Sequence, residues 1–392
     1  MIRSRDLGIG LALAAGSLLL AALALEAAVR FLHLVPDRFW QPDPLLGARL
    51  IPGKRGWWTQ EEREFVTPIQ INDLGFRDLP RQWQKPPGTY RVLVIGDSFV
   101  EAMHVPLEET FPRRLEALLL NADQRAAAKR VEVVAAGVSG WGTASELLWF
   151  RHEGYRYSPD LVLLSFYPGN DVKNNSPTLE DTLRPQYDET GELQRVTSSK
   201  PPRTRRTWSE RIKLLALVRQ AAAQPGSRLA PWLSWFGLRP DRGARSEETR
   251  QWGYPVDYGV YAVPWSAQWV DAWQRTEQLL GDFRREVESQ GAQFGVVVIA
   301  GREQTDPQSW ERILQTYPKM RDLQWDLEAP QRAVLQWCER EGVACLPLAD
   351  RFRQARSAGP LHFPYDGHFT PAGHALAAEA IADFVLAKFG VL

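Results

Sequence analysis

The chain has 392 residues, of which 44% are hydrophobic, and its 47 basic residues balance 47 acidic ones. This composition is typical of a globular chain with one large domain or two small ones. Zero net charge and the lack of a long basic block argue against nucleic acid as a partner. Arg203, Arg205 and Arg206 stand together, but in a proline-containing stretch that is typical of a solvated loop.

The N-terminus has the pattern of a membrane anchor. Residues 7–25 are almost wholly apolar and follow Arg3 and Arg5. About 20 apolar residues are enough for a helix to cross a bilayer, and the basic residues favour a cytoplasmic N-terminus. We therefore expect a single-pass anchor over residues 1–34 in a bacterial inner membrane, with the rest of the chain on the periplasmic side.

A cleaved signal peptide is the alternative, because Ala22-Leu23-Ala24 is compatible with a cleavage site. The apolar run, however, is longer than the core of a usual signal peptide. The helical pattern also continues beyond it, and Glu26 and Arg30 are spaced as an i,i+4 ion pair. The retained anchor is therefore favoured, which makes the membrane a predicted partner.

Residues 35–90, which we call the N-terminal segment, are rich in Pro, Gly and Trp, with alternating apolar positions only around Phe65 to Ile71. This pattern predicts a strap that packs on the following domain and spaces it from the membrane. For Trp57 and Trp58, packing against the core is favoured over a position at the lipid interface. Pro86-Pro87-Gly88 marks the boundary before the first core strand.

An apolar run over residues 91–95 ends abruptly in Gly96-Asp97-Ser98, and residues 108–120 follow with helical spacing. A continuous apolar strand is typical of a parallel sheet that helices cover on both faces. Ligands of such sheets bind beyond the carboxyl ends of the strands, where Ser98 is placed. A serine in this position is usually a cap or turn residue, so a catalytic role needs partners elsewhere.

Four further apolar runs complete the predicted sheet: residues 131–136, 160–166, 294–300 and 343–348. They alternate with helical patterns, the last of which runs from Pro371 to Phe389. The alternation predicts a three-layer α/β/α domain over residues 91–392, with a five-stranded parallel sheet of flavodoxin-like order.

Residues 174–265 interrupt this alternation of strands and helices, which indicates an insertion. The insertion has one amphipathic segment, from Trp208 to Ala223. The insertion and the helix after it are rich in aromatic residues: Trp232, Trp235, Trp252, Tyr254, Tyr258, Tyr261, Trp265, Trp269 and Trp273. A small aromatic core is favoured over a platform that stacks on carbohydrate. In either case the insertion emerges at the same sheet edge as Ser98 and is placed to set substrate choice.

Near the C-terminus, Asp366 precedes His368 by two residues. In an extended chain this spacing points both side chains to one side, so the two residues can serve as a base and the acid that orients it. The sequence has six histidines, and His362 is the reserve candidate for the base.

Four blocks now stand in a recognisable order: Gly96-Asp97-Ser98, Gly140 after the second strand, Gly169-Asn170-Asp171 after the third, and the Asp366/His368 pair. Over residues 91–171 and 293–390 the chain resembles the SGNH, or GDSL, hydrolase superfamily. The Asp-x-His spacing and the stretch from Ile71 to Arg77 also resemble the membrane-anchored, alginate O-acetyltransferase-like branch.

This resemblance implies that Ser98 is the nucleophile, His368 the base and Asp366 its orienting acid. It also implies an oxyanion hole formed by the Ser98 N–H, the Gly140 N–H and the Asn170 side-chain amide. The implied enzyme is a serine esterase or O-acyltransferase that works through an acyl-serine, with acetyl esters of cell-surface or exported polysaccharide as favoured substrates.

Two other functions stay open at this point. One is a lipid or small-ester hydrolase, for which the Trp-rich insertion would form an acyl pocket. The other is a non-catalytic scaffold that keeps the fold for membrane-protein partners. The triad does not determine whether water or a sugar hydroxyl accepts the acyl group.

The sequence indicates neither a cofactor nor a metal, because it has no Gly-rich phosphate loop and no His/Cys cluster at metal spacing. The two cysteines, Cys338 and Cys345, are too few for a zinc site. In an exported domain they are equally compatible with a disulfide and with free thiols.

Overall fold

The computed structural model describes residues 4–123, 130–179, 185–187, 192–194, 212–223 and 252–390. Arg203, Arg205, Arg206, Trp208, Trp232 and Trp235, together with most of the predicted insertion, lie outside the described residues. The fold below concerns the described ranges.

The strands are, in chain order, β1 Trp40–Asp43, β2 Gly47–Leu50, β3 Arg55–Thr59, β4 Val66–Gln70, β5 Thr89–Gly96, β6 Arg130–Gly137, β7 Leu161–Phe166, β8 Gln186–Tyr187, β9 Leu193–Gln194, β10 Gln293–Val298 and β11 Ala344–Pro347. The α-helices are α1 Ser4–Phe31, α2 Ser98–Glu101, α3 Phe111–Asp123, α4 Thr143–His152, α5 Pro168–Asn174, α6 Lys213–Ala223, α7 Ala267–Ser289, α8 Arg302–Thr305, α9 Pro307–Thr316, α10 Ala329–Glu341, α11 Ala349–Ala355 and α12 Pro371–Phe389.

Five strands form one parallel sheet in the order β11-β10-β7-β5-β6. Renumbered by their order in the chain, these strands run 2-1-3-4-5, which is the flavodoxin-like order. The predicted fold class is therefore confirmed. Gly96 of β5 stands opposite Gly137 of β6 and Ser165 of β7, so the carboxyl ends of the three strands lie at one edge.

Successive residues of β5 enter two different cores. Leu93 and Ile95 belong to the larger one, with buried residues of α4, α7 and α10. Val92 and Val94 belong to the other, with buried residues of α3 and α12. This alternation is the two-residue period of a strand, and it shows that helices cover both faces of the sheet.

The N-terminal segment forms two antiparallel hairpins, β1–β2 and β3–β4, and packs on the sheet domain as the sequence predicts. Its residues Phe39, Leu50 and Ile69 are almost fully buried in the larger core. Trp58 packs against the same core and meets Trp40 edge to face at 4.9 Å.

Helix α1 has the length and composition to cross a membrane over Gly8–Phe31, and its most apolar 18-residue window is not buried against the rest of the protein. A signal sequence has the same properties, so both interpretations of the N-terminus stand. The Arg30 guanidinium pairs with the Glu26 carboxylate at 2.6 Å. Glu26 also accepts hydrogen bonds from the Lys213 and Leu214 N–H groups, which ties the first turn of α6 to the end of α1.

The aromatic residues of the described part of the insertion and of α7 pack inward. Tyr261, Trp269 and Trp273 are buried in the larger core. Tyr254 forms a smaller cluster with Ile313 and Met320. These positions support the aromatic-core interpretation for the described residues and leave none of these four rings free to stack on a carbohydrate.

A disulfide joins Cys338 near the end of α10 to Cys345 in β11. Their Cα atoms are 6.3 Å apart, within the usual range for a bridged pair. Of the two states that the sequence left open, the structure has the bridged one.

Candidate active site

Two glycines explain how a helix can begin at the serine. Helix α2 starts at Ser98, two residues after the end of β5. A Cβ atom on Gly96 would lie 2.6 Å from the Val100 side chain, and one on Gly137 would lie 2.6 Å from the Cβ atom of the same valine. Only glycine permits this close approach of helix and strands. The first turn of α2 therefore packs on the strand ends and places Ser98 at the sheet edge.

A chain of hydrogen bonds links the three residues predicted as a triad. The Ser98 Oγ lies 2.8 Å from Nε2 of His368. On the other side of the imidazole, Nδ1 of His368 lies 2.5 Å from Oδ1 of Asp366. These are the distances at which an imidazole can take a proton from a hydroxyl while a carboxylate fixes its tautomer.

The backbone that carries the acid and the base differs from the sequence expectation. The extended chain assumed for Asp366 to His368 is wrong, because Gly367 adopts a left-handed conformation with φ of 90°. The Gly367 N–H donates to the Phe363 carbonyl at 3.0 Å, which closes a turn. The two side chains meet because this turn folds them together, and the His368 N–H also donates to the Asp366 carboxylate at 3.2 Å.

The Asp366 carboxylate is held in its charged form. Burial acts to raise its pKa, but the hydrogen bond from His368 and the interaction with His104 outweigh burial and lower the pKa to about 2. Asp366 is therefore ionised throughout the neutral range. A fixed negative charge at this position stabilises the positive charge that forms on His368 when it accepts a proton.

The three predicted oxyanion donors follow three neighbouring strands. Ser98 follows β5, Gly140 follows β6 with φ of 81°, and Asn170 lies in the first turn of α5 after β7. Asn170 donates one side-chain N–H to the Asp97 carboxylate at 2.7 Å. Within the described ranges, the N–H groups of Ser98 and Gly140 donate to no other group. Both therefore remain available to a ligand.

Two buried carboxyl groups underlie this edge of the sheet. Burial raises the pKa of Asp97, against the hydrogen bonds that it accepts from the Phe99 N–H and from Asn170. Burial and the nearby Asp97 charge raise the pKa of Glu146 well above its ordinary value. Neither Glu146 carboxyl oxygen has a hydrogen-bond partner in the described part of the chain. Burial without a hydrogen-bond partner therefore favours the protonated form of Glu146.

His362, the reserve candidate for the base, has other contacts. Its ring is buried, with Nε2 3.0 Å from the Ala300 carbonyl and Nδ1 3.4 Å from the Thr305 hydroxyl. Burial lowers the pKa of His362 to about 4. Both ring nitrogens thus face groups other than Ser98, whose hydroxyl meets His368.

Two residues at the site were not found from the sequence. The His104 ring stacks on His368 with centroids 4.0 Å apart, and its Nε2 lies 3.3 Å from Oδ1 of Asp366. The Glu64 carboxylate accepts hydrogen bonds from the Tyr365 and Asp366 N–H groups at 3.0 Å and 2.9 Å. Neither residue belongs to a motif, and each reaches the site only through the tertiary fold.

Within the described ranges, His104, Asp366 and His368 are close enough together to be candidate ligands for a metal ion. Oδ1 of Asp366 already lies between a nitrogen of each imidazole, at 3.3 Å and 2.5 Å. One carboxylate oxygen is thus within hydrogen-bond distance of a nitrogen of each imidazole. This arrangement fits a hydrogen-bonded cluster and does not fit a metal site.

A separate cleft of about 190 Å³ borders the loop that leads to the triad. Its lining includes Arg302, Arg356, His362 and Pro364, and none of the three triad residues. Arg302 donates hydrogen bonds to the carbonyls of Phe363 and Pro364, so the cleft wall also supports the loop.

The chain thus combines a parallel sheet of flavodoxin-like order with a Gly-Asp-Ser block at the carboxyl end of β5 and a C-terminal acid and histidine that meet the serine. Residues 266–391 match the family described as the SGNH hydrolase-like domain of the acetyltransferase AlgX. The matched part contains Asp366 and His368, and Ser98 lies before it.

Solved structures give a weaker similarity. An acetylxylan esterase from Geobacillus stearothermophilus, Axe2, has 13% identity and a TM-score of 0.39, covering 76% of this chain and 94% of that one. The acetyl xylan esterase AlAXEase has 10% identity and a TM-score of 0.39, with 76% and 100% covered. TesA has 14% identity and a TM-score of 0.38, with 77% and 99% covered. No functional conclusion follows at these scores, and no protein with a curated description matches the chain.

Proposed function

We propose that the chain forms an acyl-serine at Ser98 and acts as an O-acyl esterase or O-acyltransferase on acetyl esters of cell-surface or exported polysaccharide. The observation that carries the proposal is the continuous set of hydrogen bonds from Ser98 through His368 to Asp366. The description of the matching family as an acetyltransferase supports the acetyl group as the one transferred.

In the proposed acylation step, the Ser98 oxygen attacks the ester carbonyl carbon while Nε2 of His368 takes the hydroxyl proton. Negative charge moves to the carbonyl oxygen, which accepts hydrogen bonds from the Ser98 N–H, the Gly140 N–H and the Asn170 amide. The ester C–O bond then breaks, and the proton on His368 passes to the departing alcohol oxygen. Asp366 holds the Nδ1–H of His368 throughout.

The second half of the reaction uses the same groups. His368 takes a proton from an acceptor hydroxyl while the hydroxyl oxygen attacks the acyl carbon. The bond between the acyl carbon and the Ser98 oxygen then breaks, and the proton on His368 passes back to that oxygen, which regenerates the free serine. A water molecule as acceptor gives an esterase, and a sugar hydroxyl gives a transferase. Exclusion of water from the site while the acyl-serine exists would favour transfer.

We infer that the enzyme has an anchor over residues 1–34, the N-terminal segment over 35–90 and a hydrolase domain over 91–392, with an insertion at about 174–265. The apolar, unburied helix α1 supports the anchor. The disulfide supports a location on the periplasmic side, because disulfides persist in oxidising compartments. The acylated substrate and the membrane are the proposed partners. Other membrane proteins are a further proposed class of partner.

Labelling by a fluorophosphonate, which reacts with an activated serine, tests the proposed nucleophile in the full-length protein held in detergent. The unaltered chain should be labelled and Ser98→Ala should not. Ser289→Ala is the matched control, because its hydroxyl is exposed and only donates to the Glu286 carbonyl, so this variant should label normally. An unlabelled native protein would contradict the enzyme and favour the scaffold function.

Substrate preference is tested by comparing acetate release from acetylated polysaccharide with the hydrolysis of long-chain acyl esters. The proposal expects acetate release, and a preference for long acyl chains would instead favour the lipid-ester hydrolase. Repeating the assay with an added deacetylated glycan separates the two reaction outcomes, since a transferase moves labelled acetyl groups to the glycan.

A further inference from the structure

His104 is a buried histidine that the proposed reaction does not use. It lies in the turn after α2, and only 6% of its surface is exposed. Its carbonyl accepts a hydrogen bond from the Thr67 hydroxyl at 3.1 Å. The Arg77 guanidinium donates to the carbonyls of Ala102 and Val105 on either side. Residues of the N-terminal segment therefore fix the backbone of the turn.

The ring of His104 is also fixed. It lies nearly parallel to His368, with an interplanar angle of 15° and centroids 4.0 Å apart. Phe65 contacts it edge-on at 5.0 Å. Its Nε2 faces Oδ1 of Asp366 at 3.3 Å, the same oxygen that lies 2.5 Å from Nδ1 of His368. The two imidazoles thus share one acceptor.

The surroundings decide which ring nitrogen carries the proton. Burial, together with the positive charge that His368 can carry, lowers the pKa of His104 well below 6.5, so the ring is neutral and has a single N–H. Its Nδ1 is buried and has no hydrogen-bond partner in the described part of the chain. A proton on Nδ1 would leave a buried donor unsatisfied and direct a lone pair at the Asp366 carboxylate. The proton therefore belongs on Nε2.

We propose that His104 is a positioning residue, which donates an Nε2–H hydrogen bond to Asp366 and holds that carboxylate in line with His368. This inference rests on the proposed function, because its purpose is to keep the imidazole of His368 in the tautomer that accepts the Ser98 proton. Without the His104 donor, Oδ1 of Asp366 keeps only the backbone N–H and the ring Nδ1–H of His368, so the carboxylate is freer to rotate about its Cβ–Cγ bond.

Two substitutions of His104 separate the effect of its hydrogen bond to Asp366 from the effect of its packing against His368. His104→Phe keeps a flat ring against His368 but has no donor, and His104→Gln keeps an N–H near the position of Nε2. With a chromogenic acetyl ester, His104→Phe should lower kcat about 10- to 100-fold, the size expected for a hydrogen bond to a charged group, with KM little changed. His104→Gln should recover most of this loss.

His374→Phe is the matched control. His374 is another buried histidine, and its Nδ1 accepts the Phe111 N–H at 3.2 Å. Its replacement should lower Tm and leave kcat unchanged. Native kcat in His104→Phe, or equal losses in His104→Phe and His104→Gln, would overturn the positioning role.

NMR of the full-length protein with ¹⁵N-labelled histidine tests the tautomer without any turnover, with His104→Gln used to assign the signals. The expected result is a neutral His104 with its proton on Nε2, and a proton on Nδ1 would overturn the inference. If the native protein neither labels with fluorophosphonate nor hydrolyses an ester, the proposed function fails, and the tautomer still decides the role of His104 toward Asp366.

Discussion

The side-chain amide of Asn170 donates a hydrogen bond to the carboxylate of Asp97, the residue immediately before Ser98. The other carboxylate oxygen of Asp97 accepts the Phe99 N–H and so caps α2. One buried acid therefore fixes both the helix that begins at Ser98 and the amide that follows β7. An amide group has two N–H donors, and this contact uses one of them.

Asn170→Ala tests whether the remaining donor serves the reaction. If it faces the developing oxyanion, kcat should fall about 10²- to 10³-fold with little change in KM, because the bond strengthens only in the transition state. The measurement is kcat, KM and Tm on purified protein with a chromogenic acetyl ester. If Asn170 only shapes its turn, the result will be a loss of roughly 1 kcal/mol in stability at unaltered kcat.

His368→Ala should abolish most activity, because the base and the nucleophile act as a unit. We expect a loss of several orders of magnitude in kcat. His362→Ala is the comparison, since His362 is a buried histidine whose ring contacts the Ala300 carbonyl and not Ser98. It should lower Tm and keep kcat within about threefold of the native value. Equal losses of kcat in the two variants would contradict His368 as the base.

The raised pKa of Glu101 predicts that the free energy of unfolding depends on pH. Burial raises the pKa of Glu101 to about 7 from an ordinary value of 4.5, against hydrogen bonds from Ser139 and Trp40. Between these values the folded protein keeps a proton that the unfolded chain releases. The stabilisation, on the order of 3 kcal/mol, is fully present below the lower value and is lost as pH rises through the higher one.

Glu101→Gln should remove this dependence, because the amide is neutral and can still accept from Trp40 and donate to Ser139. Its Tm should match the native protein near pH 5 and exceed it near pH 8.5. The exposed Glu339→Gln is the control and should leave the pH profile of Tm unaltered. A constant difference between Glu101→Gln and the native protein at all pH values would contradict the assigned shift.

Gly137→Ala should destabilise the junction of α2 and β6. The new Cβ would lie 2.6 Å from that of Val100 and also close to backbone atoms of α2, which cannot move independently. We expect a loss of roughly 1–3 kcal/mol, measured by chemical denaturation. Gly281→Ala is the counterpart in the interior of α7, where the nearest atom is 3.4 Å away. It should raise stability by up to about 1 kcal/mol, and a loss there as large as for Gly137→Ala would contradict the steric explanation.

The sheet could be predicted from the sequence because each core strand carries a local signal. Leu93 and Val94 enter opposite cores, and this burial on both faces produces the continuous apolar run that identifies the strand. Alternation with helices then fixes a parallel sheet. The proximity of Ser98 to the C-terminal pair could be anticipated only through the resemblance, because 270 positions separate it from His368.

His104 and Glu64 could not be predicted in the same way. His104 meets Asp366 through tertiary contacts of the turn after α2, and Glu64 meets the loop through backbone N–H groups that have no sequence signature. The extended conformation expected between Asp366 and His368 failed for a related reason. The left-handed Gly367 closes a turn there, and the two-residue spacing alone cannot distinguish a turn from a strand.

The contacts of the N-terminal segment determine where the shortest active form of the enzyme can begin. Glu64 accepts a hydrogen bond from the loop that carries Asp366, and Thr67 and Arg77 donate hydrogen bonds to the turn that carries His104. All three residues lie before β5, the first strand of the sheet along the chain. A shortened protein that starts at residue 91 would retain Ser98, Asp366 and His368 and lose these supports. A water-soluble enzyme should therefore start just after α1. It then keeps the whole N-terminal segment, which holds the reacting groups in place.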